Sequence, residues 1–455
     1  MPSRRWKWAL CAIPALFAVR ALADLEGSYI LPLDDEAIKY GTTPLTDAVA
    51  GLQKKLNEGT ARLGYHSDLG YLPGLLKALN VPVSSQTLVF SKTSFQAPRI
   101  SPHTPRALYF NDTVSIGYVR GGDVLEISSL DPKQGVVFYT LDQERTRIPH
   151  LQRREECLQC HASSKSLGIP GNIVRSIYPD SSGQPLFQAG GFTTDHRSPM
   201  KERWGGWYVT GTHGSQQHMG NTFVEKPAAE PVCLNMDSGA NITDLSRRFD
   251  TDAYLSPHSD IVALMVLEHQ VRMQNLIIRV GFETRMALHS QTDINRMLGK
   301  PATEFSESTV RRINNPAEYL ISYMLFTDEA LLDEPVAGTS GFTAEFPRQG
   351  PKDHKGRSLR DFDLTRRLFR YPCSYMIYSE AFDNLPDPAK ERIYRRLWEI
   401  LSGQDQSKAY ATLTAADRKA VLEILRDTKP GLPDYWKRQP AASPATLSQN
   451  AGLRR

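Results

Sequence analysis

The chain has 455 residues, with 54 Lys and Arg against 50 Asp and Glu. That length is enough for two packed domains or one elaborate one. The near balance of charge removes any composition-level case for nucleic acid or an anionic membrane surface as partner.

Residues 1–23 have the pattern of a secretory leader. Arg4, Arg5 and Lys7 precede an apolar run from Trp8 to Val19, and Ala21-Leu22-Ala23 forms a small-residue cleavage site before Asp24. The apolar run is too short to span a bilayer comfortably, and no later stretch is apolar enough to do so. Four of the basic residues lie in this leader, so the mature chain is close to neutral. The expected location is periplasmic or secreted, with no transmembrane segment in the mature chain.

From Asp24 to about Gly59 the pattern predicts a loop and then a helix, capped by Thr46 or Asp47, with Val49, Leu52 and Leu56 on one face. A short helix is expected over Leu72–Leu79. Strands follow at Thr87–Ser91, Ala107–Phe110, Ser115–Val119, Val124–Ser128 and Gly135–Leu141. They are rich in Val, Ile, Tyr and Phe and are separated by Asn111-Asp112, Gly121-Gly122 and Asp131-Pro132. This antiparallel pattern leads directly into Cys157-Leu158-Gln159-Cys160-His161.

That stretch reads C-x-x-C-H, the attachment signature of a covalent c-type haem. Two thiols three residues apart fall on one side of a helix-like turn and can reach two vinyl groups along one porphyrin edge. The next residue, His161, is then held under the iron as proximal ligand. Two other chemistries use paired thiols. A redox dithiol is expected near a βαβ pattern, and none is read here. A zinc site with His161 as third ligand requires a fourth, and there is no second C-x-x-C. The leader and the motif support each other, because bacteria attach haem covalently outside the cytoplasmic membrane. One covalent haem c is the expected cofactor.

Beyond the motif, strands are expected over Asn172–Tyr178, Pro185–Phe192 and Trp204–Thr212. Residues 226–258, with Pro227, Pro231 and a polar run, read as a linker. A long helix begins at Ser259, another at about Pro316, and a Gly/Pro-rich loop covers Pro335–Lys355. A helix with Ile393, Leu397, Ile400 and Leu401 on one face stops at Gly403. A final helix begins at Thr414, with Asp417 completing a variant capping box. The tail beyond Pro430 reads as disordered. The expected architecture is α+β: a leader (1–23), a strand-rich haem domain (24–225), a linker (226–258), a mainly helical domain (259–430) and a tail (431–455). Cys233 and Cys373 are either buried thiols or, in this compartment, a disulfide.

The sixth iron position decides what a single haem does: a strong second ligand makes an electron carrier, and an open position permits gas binding or peroxide chemistry. His and Met are densest in Thr194–Asn221. His213, at a predicted strand end, is the first candidate; Met219 and His196 are the alternatives. His269, beside Glu268 on the long helix, reads as an interhelical histidine.

The motif C-L-Q-C-H makes the chain resemble a mono-haem c-type cytochrome. Thr194-Asp195-His196-Arg197-Ser198-Pro199, followed by Trp204-Gly205-Gly206-Trp207-Tyr208-Val209-Thr210-Gly211-Thr212-His213-Gly214, resembles a family of exported bacterial cytochrome-like proteins without an assigned activity. The resemblance runs over most of the mature chain. It implies Cys157 and Cys160 as thioether sites and His161 as axial ligand. The chain is longer and richer in strands than ordinary soluble cytochrome c. The expected function is electron transfer with a redox partner protein, rather than catalysis. A haem-based sensor or gas-binding module and a peroxidase-type enzyme are the alternatives; familiar di-haem peroxidases carry two such motifs, and this chain has one.

Overall fold

The computed structural model describes residues 29–225, 232 and 234–437. The leader, Cys233 and the tail from residue 438 lie outside the described residues. The architecture is α+β, a strand-rich N-terminal region followed by a mainly helical C-terminal region.

Two helices, α1 (Ala48–Asn57) and α2 (Leu72–Ala78), precede strands β1 (Thr87–Val89), β2 (Arg106–Phe110), β3 (Val114–Tyr118), β4 (Val124–Asp131), β5 (Gly135–Asp142) and β6 (Leu151–Arg153). Asp47 caps α1 by accepting from the Val49 and Ala50 amides. After the motif helix α3 (Leu158–His161) come β7 (Arg175–Ile177), β8 (Gly191–Thr193), β9 (Trp207–Tyr208) and β10 (Gly211–Thr212). The main sheet has the order β6-β5-β4-β3-β2-β1-β9 and is antiparallel throughout.

Both faces of this sheet are covered, and the two-residue period of a strand sorts the side chains. Val137, Tyr139 and Ile127 pack with Val49, Leu72 and Leu75 of α1 and α2. Val136, Phe138 and Leu130 turn the other way, into a core shared with the helices that follow.

Those helices are α4 (Ile261–Leu298), α5 (Glu307–Met324), the short α6 (Phe342–Glu345) and α7 (Glu380–Asp383), α8 (Asp387–Leu401) and α9 (Ala415–Thr428), with strand β11 (Ala337–Gly338) pairing with β10. Helix α4 has 38 residues and is roughly 57 Å long at 1.5 Å per residue. It is buried on all sides from Ile261 to Val280, polar residues included. Those polar side chains stitch α4 to loops of the sheet region: Gln270 and Gln274 donate to the Asn111 and Asp112 carbonyls, Asn275 to Asn172, and Arg279 to Leu167. Among the described residues no helix is long and apolar enough to cross a membrane.

Several elements differ from the sequence expectation. The strand expected over Trp204–Thr212 is broken into β9 and β10. Trp204 (φ 66°) and Gly206 (φ 87°) are left-handed, and a Cβ on Gly205 would meet the Ile177 carbonyl at 2.1 Å, so a tight turn occupies the expected strand start. The strand expected over Pro185–Phe192 is interrupted by a 3-10 turn, Phe187–Ala189, ended by left-handed Gly190; Gly191–Thr193 pairs with β7, and Pro185 makes only an isolated bridge to Pro179. Helix α5 begins at Glu307 behind the cap Ser306, and Pro316 lies inside it instead of starting it. The stretch read as a linker sends Leu245, Phe249 and Tyr254 into the core on one face of the sheet, Phe249 stacking on Tyr208 and Tyr254 meeting Tyr118 edge-on, and burying those side chains holds it to the sheet. The start of the expected tail is packed: Trp436 is fully buried against Tyr394 and Trp398. Cys373 is a buried thiol in the helical core.

Candidate functional site

The motif lies on one turn. Glu155–Cys157 is a 3-10 turn that continues into α3, so Cys157, Cys160 and His161 share a single helical segment. Cys160 is exposed and Cys157 half-buried. Burial raises the Cys157 thiol to about 11, with Glu156 and Glu126 adding to the effect. The attacking thiol of a redox dithiol ordinarily shows the opposite shift. The one convergent set of three metal-type ligands among the described residues is Asp353, His354 and Asp427, so the two thiols and His161 are not gathered around one point as a zinc ion would require. The Asp353 carboxylate is itself filled by Lys355 and Arg357 amides and the Arg357 Nε.

His161 is held from behind. Its Nδ1 lies 3.0 Å from the Gly171 carbonyl, and the Gly171 amide donates back to the His161 carbonyl at 2.9 Å. A carbonyl only accepts, so Nδ1 carries the proton and Nε2 presents the lone pair. Burial lowers the pKa of this ring, which keeps it neutral and ready to ligate. The ring packs on Phe138, centroids 4.6 Å apart. Among the described residues Nε2 makes no hydrogen bond.

The loop carrying Gly171 is fixed on several sides. Leu31 donates to the Gly168 carbonyl, Val136 to Pro170 and Arg279 to Leu167. A Cβ on Gly171 would run into the Asn275 side-chain amide, so any larger residue there must displace that side chain of α4. An ordered backbone partner of this kind sets the tautomer and ring direction of a metal-binding histidine. Two thiols on one turn followed by a neutral, oriented imidazole with a spare lone pair form a donor set that fits a covalently attached haem.

The sequence-expected sixth ligands are elsewhere engaged. His213 is fully buried, and its Nε2 accepts from the Asn241 amide at 3.0 Å. A backbone amide only donates, so the lone pair of neutral His213 is already used, and binding iron would require releasing Asn241. Met219 is buried, and its sulfur lies 3.4 Å from Ser176 Oγ. His196 faces His269, Nδ1 to Nδ1 at 2.8 Å, and stacks on Tyr323 with centroids 4.0 Å apart. Among the described residues none of the three shares a hydrogen bond or ring contact with His161 or Phe138.

His269, read as interhelical, stacks on Tyr323 of α5 with centroids 5.5 Å apart, but its two ring nitrogens meet residues outside the helices, His196 Nδ1 and Ser374 Oγ, at 2.8 Å each. Around it lies a largely buried polar cluster. Arg203 pairs with Glu268 at 3.3 Å, and Arg197 with Asp195 at 2.7 Å. Burial raises Glu268 to about 7, against the pull of Arg203. Burial pushes His269 down to about 3 and His196 well below the usual range. Apart from Arg197, whose side chain is 29% exposed, these groups are buried.

The sequence reading missed Gly171, Arg106 and Glu126. Gly171 follows Pro170 in what reads as an ordinary turn. Arg106 and Glu126 alternate with apolar residues on their strands, which reads as a solvent face, yet both are largely buried. Compared with family models, with curated proteins and with solved structures, the chain matches none.

Proposed function

We propose that the protein is an exported mono-haem c-type cytochrome, periplasmic or secreted, that transfers electrons to or from a redox partner protein. Cys157 and Cys160 carry the thioethers, and His161 is the proximal ligand. The observation that carries this reading is the fixed tautomer of His161, with Nδ1–H on the Gly171 carbonyl and Nε2 free to ligate. The haem supplies one-electron chemistry at its iron; the chain holds it by two thiols, aims one imidazole and packs Phe138 against that ring. Exposure of Cys160 places one attachment point at the surface, the side from which a partner protein approaches.

A second reading is a haem whose sixth position is open and binds a gas. It is favoured by the engagement of His213 with Asn241, of Met219 with Ser176 and of His196 with His269. Optical spectra separate the two. A low-spin spectrum that His213→Ala converts to a carbon monoxide-binding form supports the carrier with His213 as ligand; a weak near-infrared band in the oxidised protein assigns Met219. A wild type that is high-spin and binds carbon monoxide readily favours gas binding. The shared premise is tested by haem staining after denaturing electrophoresis of the exported protein. An unstained wild-type band from cells with a c-type maturation system sinks both readings.

A further inference from the structure

On the sheet face toward the motif, one ion pair stands out. Glu126 on β4 lies opposite Thr140 on β5, and Ser128, two residues along, lies opposite Phe138. Glu126 and Phe138 therefore share a face as diagonal neighbours, with about 7 Å between such positions in an antiparallel pair. Phe138 is the residue in ring contact with His161. The loop behind His161 docks on the same face, where Asn172 Nδ2 donates to Ser128 Oγ at 3.0 Å. Arg154, three residues before Cys157, reaches it too, through its Nε to Thr140 Oγ1 at 2.8 Å.

The partner of Glu126 comes from two strands away. Arg106 on β2 must cross β3 to reach it, and it crosses at Gly117: a Cβ there would lie 3.4 Å from Glu126 Cβ and 3.6 Å from Arg106 Cδ. The pair closes at 2.6 Å, with side chains only 17% and 19% exposed. Glu126 also accepts from Ser94 Oγ at 2.5 Å and Gln96 Nε2 at 2.8 Å. Three donors on one buried carboxylate hold it ionised. Buried ion pairs are weak contributors to stability because desolvation offsets the attraction. Arg106 Nε is buried and, among the described residues, without a hydrogen-bond partner, as is Gln96 Oε1. A polar assembly of this kind beside a ligating histidine is better explained by its field than by its contribution to folding.

We infer that Arg106 and Glu126 are tuning residues for the haem carried by Cys157, Cys160 and His161, with Glu126 as the fixed negative charge that favours the oxidised iron and Arg106 as the counter-charge that limits it. This inference rests on the haem reading proposed above. The physical basis is direct: a carboxylate in low dielectric near the iron stabilises the extra positive charge of the ferric state, and a guanidinium does the reverse. Neither residue touches the iron; both act through the space beside His161.

The test is a spectroelectrochemical titration of the exported, haem-stained full-length protein. Glu126→Gln keeps the shape and removes the charge, and its midpoint potential is expected to shift upward. Arg106→Gln is expected to shift it downward, and Arg106→Lys, which keeps the charge, to stay near wild type. Covalent haem content is expected to be unchanged in all three. Shifts of the same sign in the two charge-removing variants, or no shift in either, overturn the inference while leaving the haem reading intact. If one charge-removing variant fails to fold, the sign of the other decides alone. A wild type without covalent haem overturns the haem reading itself.

Discussion

Two histidine sites in this chain differ in the state of their ring nitrogens. At His161 one nitrogen is tied to a carbonyl, the other keeps a lone pair, and the neighbouring Cys160 is exposed. At His196 and His269 the rings face each other at 2.8 Å, are fully enclosed, and are surrounded by Glu268, Arg203 and Asp195. The second site holds more titratable groups and larger pKa shifts, which alone would mark it as functional. The first holds a single imidazole, but an oriented one within reach of the surface. Perturbed titration marks burial, whereas a spare lone pair with access marks ligation.

The largest expected effect separates the two sites. Cys157→Ala together with Cys160→Ala removes all covalent haem, read by haem staining, while His196→Asn leaves the stain at the wild-type level. A stain lost in His196→Asn and retained in the double cysteine variant reverses the comparison. The second effect is on stability. Glu268→Ala leaves Arg203 buried without its carboxylate and is expected to cost about 3 kcal/mol, the low end for breaking a buried pair, because Arg203 keeps the Ser198 and His196 carbonyls. Urea denaturation measures this, and the haem stain is expected to be unchanged.

Third, Gly171→Ala drives a methyl group into Asn275 and is expected to destabilise by about 1–3 kcal/mol, as overpacking does. Unlike Glu268→Ala, it is also expected to change the optical spectrum, since it disturbs the carbonyl that orients His161. A spectrum identical to wild type argues that the Gly171 contact does not set the ligand. The smallest effect is one of pH. Burial, helped by His213, lowers His218 from 6.5 to about 3. Between those values the unfolded chain binds a proton that the folded chain does not, so stability falls as pH falls through that window, by up to about 1.4 kcal/mol per pH unit. Glu268 and Glu329, raised to about 7, act in the opposite sense, so the His218 contribution is read as a difference. His218→Asn is expected to show a flatter loss of urea stability from pH 6.5 to pH 4 than wild type, and equal slopes would show that His218 is not buried neutral.

Periodicity made much of the sheet legible. Five of the six strands before the motif start within one residue of their expected positions, because Val, Ile, Tyr and Phe runs between strong turn signals leave little freedom; β6 (Leu151–Arg153), flanked by charged residues, carries no such signal. The capping box at Thr414 and Asp417 is present as read. What failed depended on tertiary contact. The Trp204 turn is set by the close approach of Gly205 to Ile177, which no local pattern announces. Residues 245–254 carry linker-like composition but three well-placed apolar side chains. At the candidate site, the spacing C-x-x-C-H identifies three residues, but the geometry of His161 comes from Gly171, Asn275 and Phe138, which carry no motif. Arg106 and Glu126 alternate like surface residues because a strand's period reports which face a residue is on, and not what covers that face.

The long helix α4 has a consequence for the order in which the molecule can be completed. The loop behind His161 is fixed by Asn275 and Arg279, more than a hundred positions further along the chain. A nascent polypeptide therefore has the whole Cys157–His161 stretch well before it has the helix that fixes the loop behind the imidazole. On the haem reading proposed above, thiols on a turn not yet clamped would be open to an attachment enzyme, and arrival of α4 would then lock the loop. A fragment ending before Ile261 would carry both cysteines and the histidine, but without the support that holds the ring in its ligating pose.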